Sequence, residues 1–247
     1  MKKLSFFPYN TFAVPSKIRL FCFSHSGGTA SNFREWTNHF SSDVEICPIQ
    51  LPGRETRFSD PLITSMESLM DALWPEILQL FDRPCGLFGH SLGAIVAFEI
   101  AKRMKTFSYN QLRTLFVSAC SAPTFLNYHS NHVHLGPDEK IIQSLKSYGA
   151  MPAQLLQNEE ALALILPRIR ADFSIFETYN YQSTKPLDIP IVACNGCDDS
   201  IVSESKMKAW EIETCSTFNQ YTFNGGHFYH QTNQKNLSKV ILERLIT

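Results

Sequence analysis

The chain has 247 residues, of which 44% are hydrophobic and 18% charged, and its formal net charge is -1. That length and balance suit one α/β domain with a sizeable core and exclude a disordered or fibrous chain. The near-zero charge offers no basic field for nucleic acid, and no apolar run approaches a membrane span.

The opening stretch MKKLSFFPYNTFAVPSK carries two lysines, but Ser5, Pro8, Tyr9 and Asn10 break its apolar run, so it lacks a signal-peptide core. Short apolar segments of strand length then recur: IRLFCF (18–23), VEICPI (44–49), CGLF (85–88), LRTLFVS (112–118), PIVAC (190–194) and FNQYTF (218–223). Helical patterns alternate with them, at SMESLMDALWPEILQLF and again after Ser91. Several of the strands are apolar on both faces, which predicts an α/β fold with a mostly parallel central sheet flanked by helices, in a single domain over 1–247. The connection 119–189 is too long for a plain crossover, and LLQNEEALALILPRIRADFSIFETY within it places apolar residues at helical spacing. It is expected to be a helical lid, inserted over about 124–185; the alternative is a small bundle away from any site. Seven cysteines, scattered and odd in number, fit reduced thiols in a cytoplasmic protein better than a disulfide framework. Cys194 and Cys197 form a lone CxxC, expected to be two buried or half-buried thiols rather than a metal site.

Between the third strand and its helix lies GHSLG, residues 89–93. A serine at such a junction is forced into a sharp, strained turn that exposes its hydroxyl, and Gly89 and Gly93 supply the room. The following helix aims the N–H of Leu92 and its positive end at a developing oxyanion. A serine hydroxyl is a weak nucleophile until a base takes its proton, which requires a histidine oriented by a carboxylate. NGCDDSIV and NGGHF supply them after the fifth and sixth strands, in the order Ser, Asp, His of the α/β-hydrolases. Ser91 is therefore the expected nucleophile, His227 the base and Asp199 its partner. Asp198 is the rival, set aside because Gly196 starts a turn that reaches Asp199. The second oxyanion donor is expected from FSHSGGTASNF, through the backbone of Ser26, with His25 serving loop geometry. His230 reads as a spectator, and His129, His132 and His134 as a solvated loop at the lid entrance. No metal or organic cofactor is needed for this chemistry.

FCFSHSGGTASNFREW, QLPGRETR, GHSLGA, LPRIRADFSIFETYNY, GCDDSIVSE and GGHFYH together resemble the type II thioesterases, the stand-alone α/β-hydrolases that accompany nonribosomal peptide and polyketide synthases. The likeness runs from about residue 18 to the C-terminus. It implies hydrolysis of acyl groups from the phosphopantetheine arm of carrier proteins, with Ser91, Asp199 and His227 as the triad, Ser26 and Leu92 as oxyanion donors, and 119–189 as the lid. With no concentrated basic patch to meet a negatively charged phosphopantetheine partner, contact with acyl-loaded carriers is expected to be small and transient, and the chain is expected to be a monomer. The chain departs from that family at Ser24, where proline is usual, and at Ser26, where alanine is. It departs again at Ala119, Cys120 and Ser121, where a basic pair is common, and at Ala150 and Met151, in place of a Gly-Gly-Thr-Pro run. A chain-terminating acyl-carrier hydrolase, a general carboxylesterase and a non-catalytic carrier-binding scaffold are the competing expectations.

Overall fold

Six strands assemble into one sheet in the order β2-β1-β3-β4-β5-β6, every neighbouring pair parallel. They are β1 (Ile18–Phe23), β2 (Val44–Pro48), β3 (Cys85–His90), β4 (Leu112–Ser118), β5 (Ile191–Gly196) and β6 (Phe218–Phe223). This is a computed structural model, and it describes residues 4–9, 16–107, 110–128, 132–149 and 153–246. Side chains alternate between the two faces of a strand, and here both faces are covered. Phe21, Phe23, Leu87, Leu115 and Ala193 pack on one side with Leu69, Leu73 and Val96. Leu20, Cys22, Phe88, Phe116 and Val192 pack on the other with Trp36, Leu237 and Ile241. Double burial is why the strands read as unbroken apolar runs.

The helices are α1 (Met66–Ile77), α2 (Leu92–Thr106), α3 (Asp138–Ser147), α4 (Ala153–Leu156), α5 (Glu159–Glu177), α6 (Glu204–Lys208), α7 (Tyr229–Thr232) and α8 (Gln234–Leu245), with 3-10 turns between several of them. Ser65 caps α1 by accepting the N–H of Ser68, and Asn158 caps α5 by accepting that of Ala161. None of the helices among the described residues is long and apolar enough to cross a membrane.

Chain order reverses between β1 and β3, since β1 leads outward to β2 and the chain then returns to β3 on the other side. Parallel α/β sheets open their ligand crevice at that point, beyond the strand C-termini. The segment between β4 and β5 lies over this rim. Ile141, Leu145, Leu162, Leu166, Ile169 and Phe173 form a small apolar core of its own, while Ile175 and Tyr179 join the main core. The inserted helices thus have a small core of their own and are also tied to the main one. His129, Ala150 and Met151 lie outside the described residues.

Candidate active site

Ser91 joins β3 to α2 with φ 55° and ψ -120°, in a region that a residue with a Cβ seldom occupies. Its N–H donates to the Ser118 carbonyl at 2.8 Å, which ties the turn to β4. Both flanking glycines are required by space. A Cβ on Gly89 would lie 2.1 Å from the Gly93 carbonyl oxygen, and one on Gly93 would lie 2.2 Å from that of Phe23. Leu92 opens α2, so its N–H belongs to the first turn, whose donors have no partner within the helix.

The turns after β5 and β6 bring Asp199 and His227 together. A Cβ on Gly196 would meet the carbonyl oxygens of Gly225 and Gly226 at 2.2 and 2.3 Å, so the loops after β5 and β6 touch backbone to backbone. The N–H of Asp198 donates to the Gly225 carbonyl, and that of Asp199 to Gly196, which closes the turn expected from the sequence. Of the two acids it is Asp199 that meets His227: Nδ1 of His227 is 2.9 Å from Oδ2 of Asp199. The other carboxylate oxygen accepts the N–H groups of Ile201 and Val202 at 2.8 and 3.1 Å. Burial pushes the Asp199 pKa up, but the bonds from His227, Ile201 and Val202 outweigh it and the net shift is downward. The carboxylate stays charged and fixes the imidazole through Nδ1.

Ser91, His227 and Ser26 line one cavity of about 150 Å³, roofed by Tyr148, Phe173 and Phe176 of the insertion. With Ile201 and Val202 from the loop after β5 also in its lining, all four loops singled out in the sequence converge on one space. His25 takes no part in the acid–base pairing; its ring packs 4.8 Å from that of Phe228 and its Nδ1 faces the Ser24 hydroxyl at 3.3 Å. His132 is exposed, as expected of a solvated loop, but His134 differs: Glu177 accepts from its backbone N–H and lies 2.5 Å from its Nδ1. Cys194 is buried in β5 as expected, whereas Cys197 is exposed beyond the strand end.

Sequence reading missed the clamp on the Ser26 loop. The carboxylate of Asp172 accepts the Gly27 N–H at 2.6 Å and a bidentate Arg54 guanidinium at 2.8 Å on each oxygen. Arg54 also donates to the Gly28 carbonyl at 3.1 Å. The Asp172 side chain is 1% exposed, and that of Arg54 7%. A signal existed, because Asp172 falls on the apolar stripe of Leu166, Ile169 and Phe173 along α5, where an unpaired acid has no place.

The chain matches the Thioesterase domain family over residues 18–245. It is 37% identical over 214 residues to the gramicidin S biosynthesis protein GrsT of Aneurinibacillus migulanus, covering 87% of this chain and 83% of that one. The type II thioesterase BorB from the borrelidin biosynthetic cluster superposes with a TM-score of 0.85 at 32% identity, over 94% of each chain. ClbQ from the colibactin NRPS/PKS pathway does so with a TM-score of 0.87 at 26% identity, over 94% of this chain and 98% of that one. The family match begins with β1 and ends with α8, so it takes in the whole sheet and every loop of the cavity, and the chain belongs to the thioesterase family of α/β-hydrolases.

Proposed function

We propose that this thioesterase removes acyl groups from the phosphopantetheine arm of carrier proteins in nonribosomal peptide or polyketide assembly, clearing carriers that hold an aberrant or stalled group. One observation carries it: the strained Ser91 turn and the His227–Asp199 pair open on the same cavity. Similarity to ClbQ, from the colibactin NRPS/PKS pathway, and to BorB, a type II thioesterase of a biosynthetic cluster, supports the partner class.

In this scheme His227 takes the Ser91 hydroxyl proton as the oxygen attacks the thioester carbonyl. The N–H groups of Leu92 and Ser26 hold the oxyanion. The C–S bond then breaks, and His227 returns the proton to the departing sulfur, whose thiol has a pKa of roughly 8.5 by comparison with cysteine. Water next gives its proton to His227 while its oxygen attacks the acyl-serine, and as the C–O bond to the serine breaks His227 returns that proton to the Ser91 oxygen, releasing the free acid. Asp199 orients the imidazole and stabilises its charged form. The inserted helices serve as a lid, since Tyr148, Phe173 and Phe176 line the cavity wall that shields it from water.

The protein acts as a cytoplasmic monomer that meets its carriers briefly. Offering a panel of acyl-loaded carriers, free acyl-pantetheines and simple esters, with release of acid followed by mass, tests these statements. Faster turnover of the carrier-bound acyl group is expected; equal rates on simple esters would remove the carrier from the scheme.

A further inference from the structure

Three histidines that hydrolysis does not use converge beside the cavity. His25 follows β1, His90 ends β3 and His230 lies in α7, so only the fold brings them together. One ring nitrogen from each lies within 4.8 Å of one from each of the others. The His90 and His230 ring centroids are 4.0 Å apart, with His25 at 5.9 and 6.3 Å from them.

Two of the three rings, His90 and His230, each have a buried ring nitrogen without a partner. His90 uses Nδ1 with the Ser118 hydroxyl at 2.8 Å, itself 2.7 Å from the Tyr229 hydroxyl, and this leaves Nε2 buried and unpaired. Nδ1 of His230 is likewise buried and unpaired. His90 is 0% exposed and His230 3%, so no bulk water reaches them to compensate. A histidine with one nitrogen fixed by an oxygen and the other left open is the usual form of a metal ligand, the fixed bond setting tautomer and ring orientation. Burial also pushes the pKa of all three rings down, to about 4 for His25 and about 3 for His230, with repulsion among the neighbouring histidines adding to it. They are neutral at pH 7, the state that ligation requires.

We propose that His25, His90 and His230 bind one divalent transition-metal ion of the class that prefers imidazole, zinc foremost, and that its binding shuts the thioesterase off. The inhibitory half rests on the hydrolytic function proposed above; the binding half does not. Zinc–nitrogen bonds of roughly 2.0–2.1 Å hold tetrahedral ligands about 3.4 Å apart, so rings spread over 4.8 Å must close in. Each ring sits beside one member of the candidate site: His25 next to Ser26, His90 next to Ser91, and His230 three residues after His227. Contraction therefore drags all three working loops at once. His25 also lines a second cavity of about 300 Å³ with Ser26, Gly27 and Arg54.

The test titrates the metal-free full-length protein with zinc chloride, measuring bound zinc by elemental analysis after dialysis and using cobalt(II) as a visible-absorption probe. One ion per chain, cobalt bands of a nitrogen-ligated site, and hydrolysis that falls with occupancy and returns with a chelator are expected. His230→Leu, checked for folding by circular dichroism, should weaken binding by more than the ~10–100-fold typical of losing an outer partner, and its ratio of rates with and without zinc should approach one. A Cys197→Ser, Cys215→Ser double variant, which removes the exposed thiols, should bind as the unaltered chain does. No stoichiometric zinc, or equal binding by His230→Leu, overturns the site. Zinc held by the three rings with hydrolysis unaffected overturns the switch alone. Tight zinc binding by a protein inactive on every thioester overturns the hydrolytic function and the switch, and upholds the site.

Discussion

Ser91 holds a backbone conformation that costs about 1–3 kcal/mol for a residue with a side chain, and the surroundings fix it there through Gly89, Gly93 and the bond to Ser118. Such strain is retained where a hydroxyl must stand clear of its strand. Ser91→Ala should accordingly keep the fold and lose ~10³-fold or more in turnover, which single-turnover acid release would measure. Asp199→Asn should cost far more activity than Asp198→Asn, because only Asp199 reaches His227; equal losses in kcat would reverse that ranking. The same carboxylate sets a pH dependence of stability. Its folded pKa lies below its unfolded value, so the unfolded chain binds the proton more tightly, and the stabilisation is complete above about pH 4–5 and lost as pH falls through the folded value. Denaturant midpoints should fall on acidification across that range, and less steeply in Asp199→Asn.

The loop after β1 is shaped from outside itself, by Arg54 beyond β2 and Asp172 on α5. Breaking a buried ion pair by removing one partner costs about 3–5 kcal/mol, whereas replacing both with apolar groups of similar size is often tolerated. Arg54→Met and Asp172→Leu should each lower the melting temperature, and the double variant should recover part of the loss. Its kcat should stay low, since the Gly27 N–H still has no acceptor; a double variant restored in both respects would show that the clamp serves stability alone. Arg54→Lys should not rescue, because an ammonium lacks the guanidinium fork. Over the site, the Tyr148 ring stands 6.0 Å from that of His227 in a cavity of only about 150 Å³. Tyr148→Ala should raise kcat/KM for long acyl chains relative to acetyl, as a chain-length series of acyl-carriers would show.

Across the whole molecule, what was legible followed from local pattern. β1, β4 and β6 end where the apolar runs end, and Gly196, Gly225 and Gly226 marked the loops that deliver Asp199 and His227. What escaped was set by distance along the chain. Arg54 and Asp172 look like unrelated charges until the insertion folds back over β1, and His25, His90 and His230 meet only once the sheet has ordered β1 beside β3. With a net charge of -1, carrier docking should be weak and should weaken further with salt, because only local charges steer it; a nanomolar complex indifferent to ionic strength would contradict this.

The interlocked turns after β5 and β6 have one more consequence. β6 is an edge strand, paired on one side only among the described residues and half-buried apart from the exposed Thr222, and segments with few buried contacts are where local opening is least costly. Because Asp199 and His227, the proposed acid and base, ride on that border as one piece, fraying there would disarm the proposed triad while the rest of the sheet still stood. Heat should silence it several degrees before its circular dichroism melts.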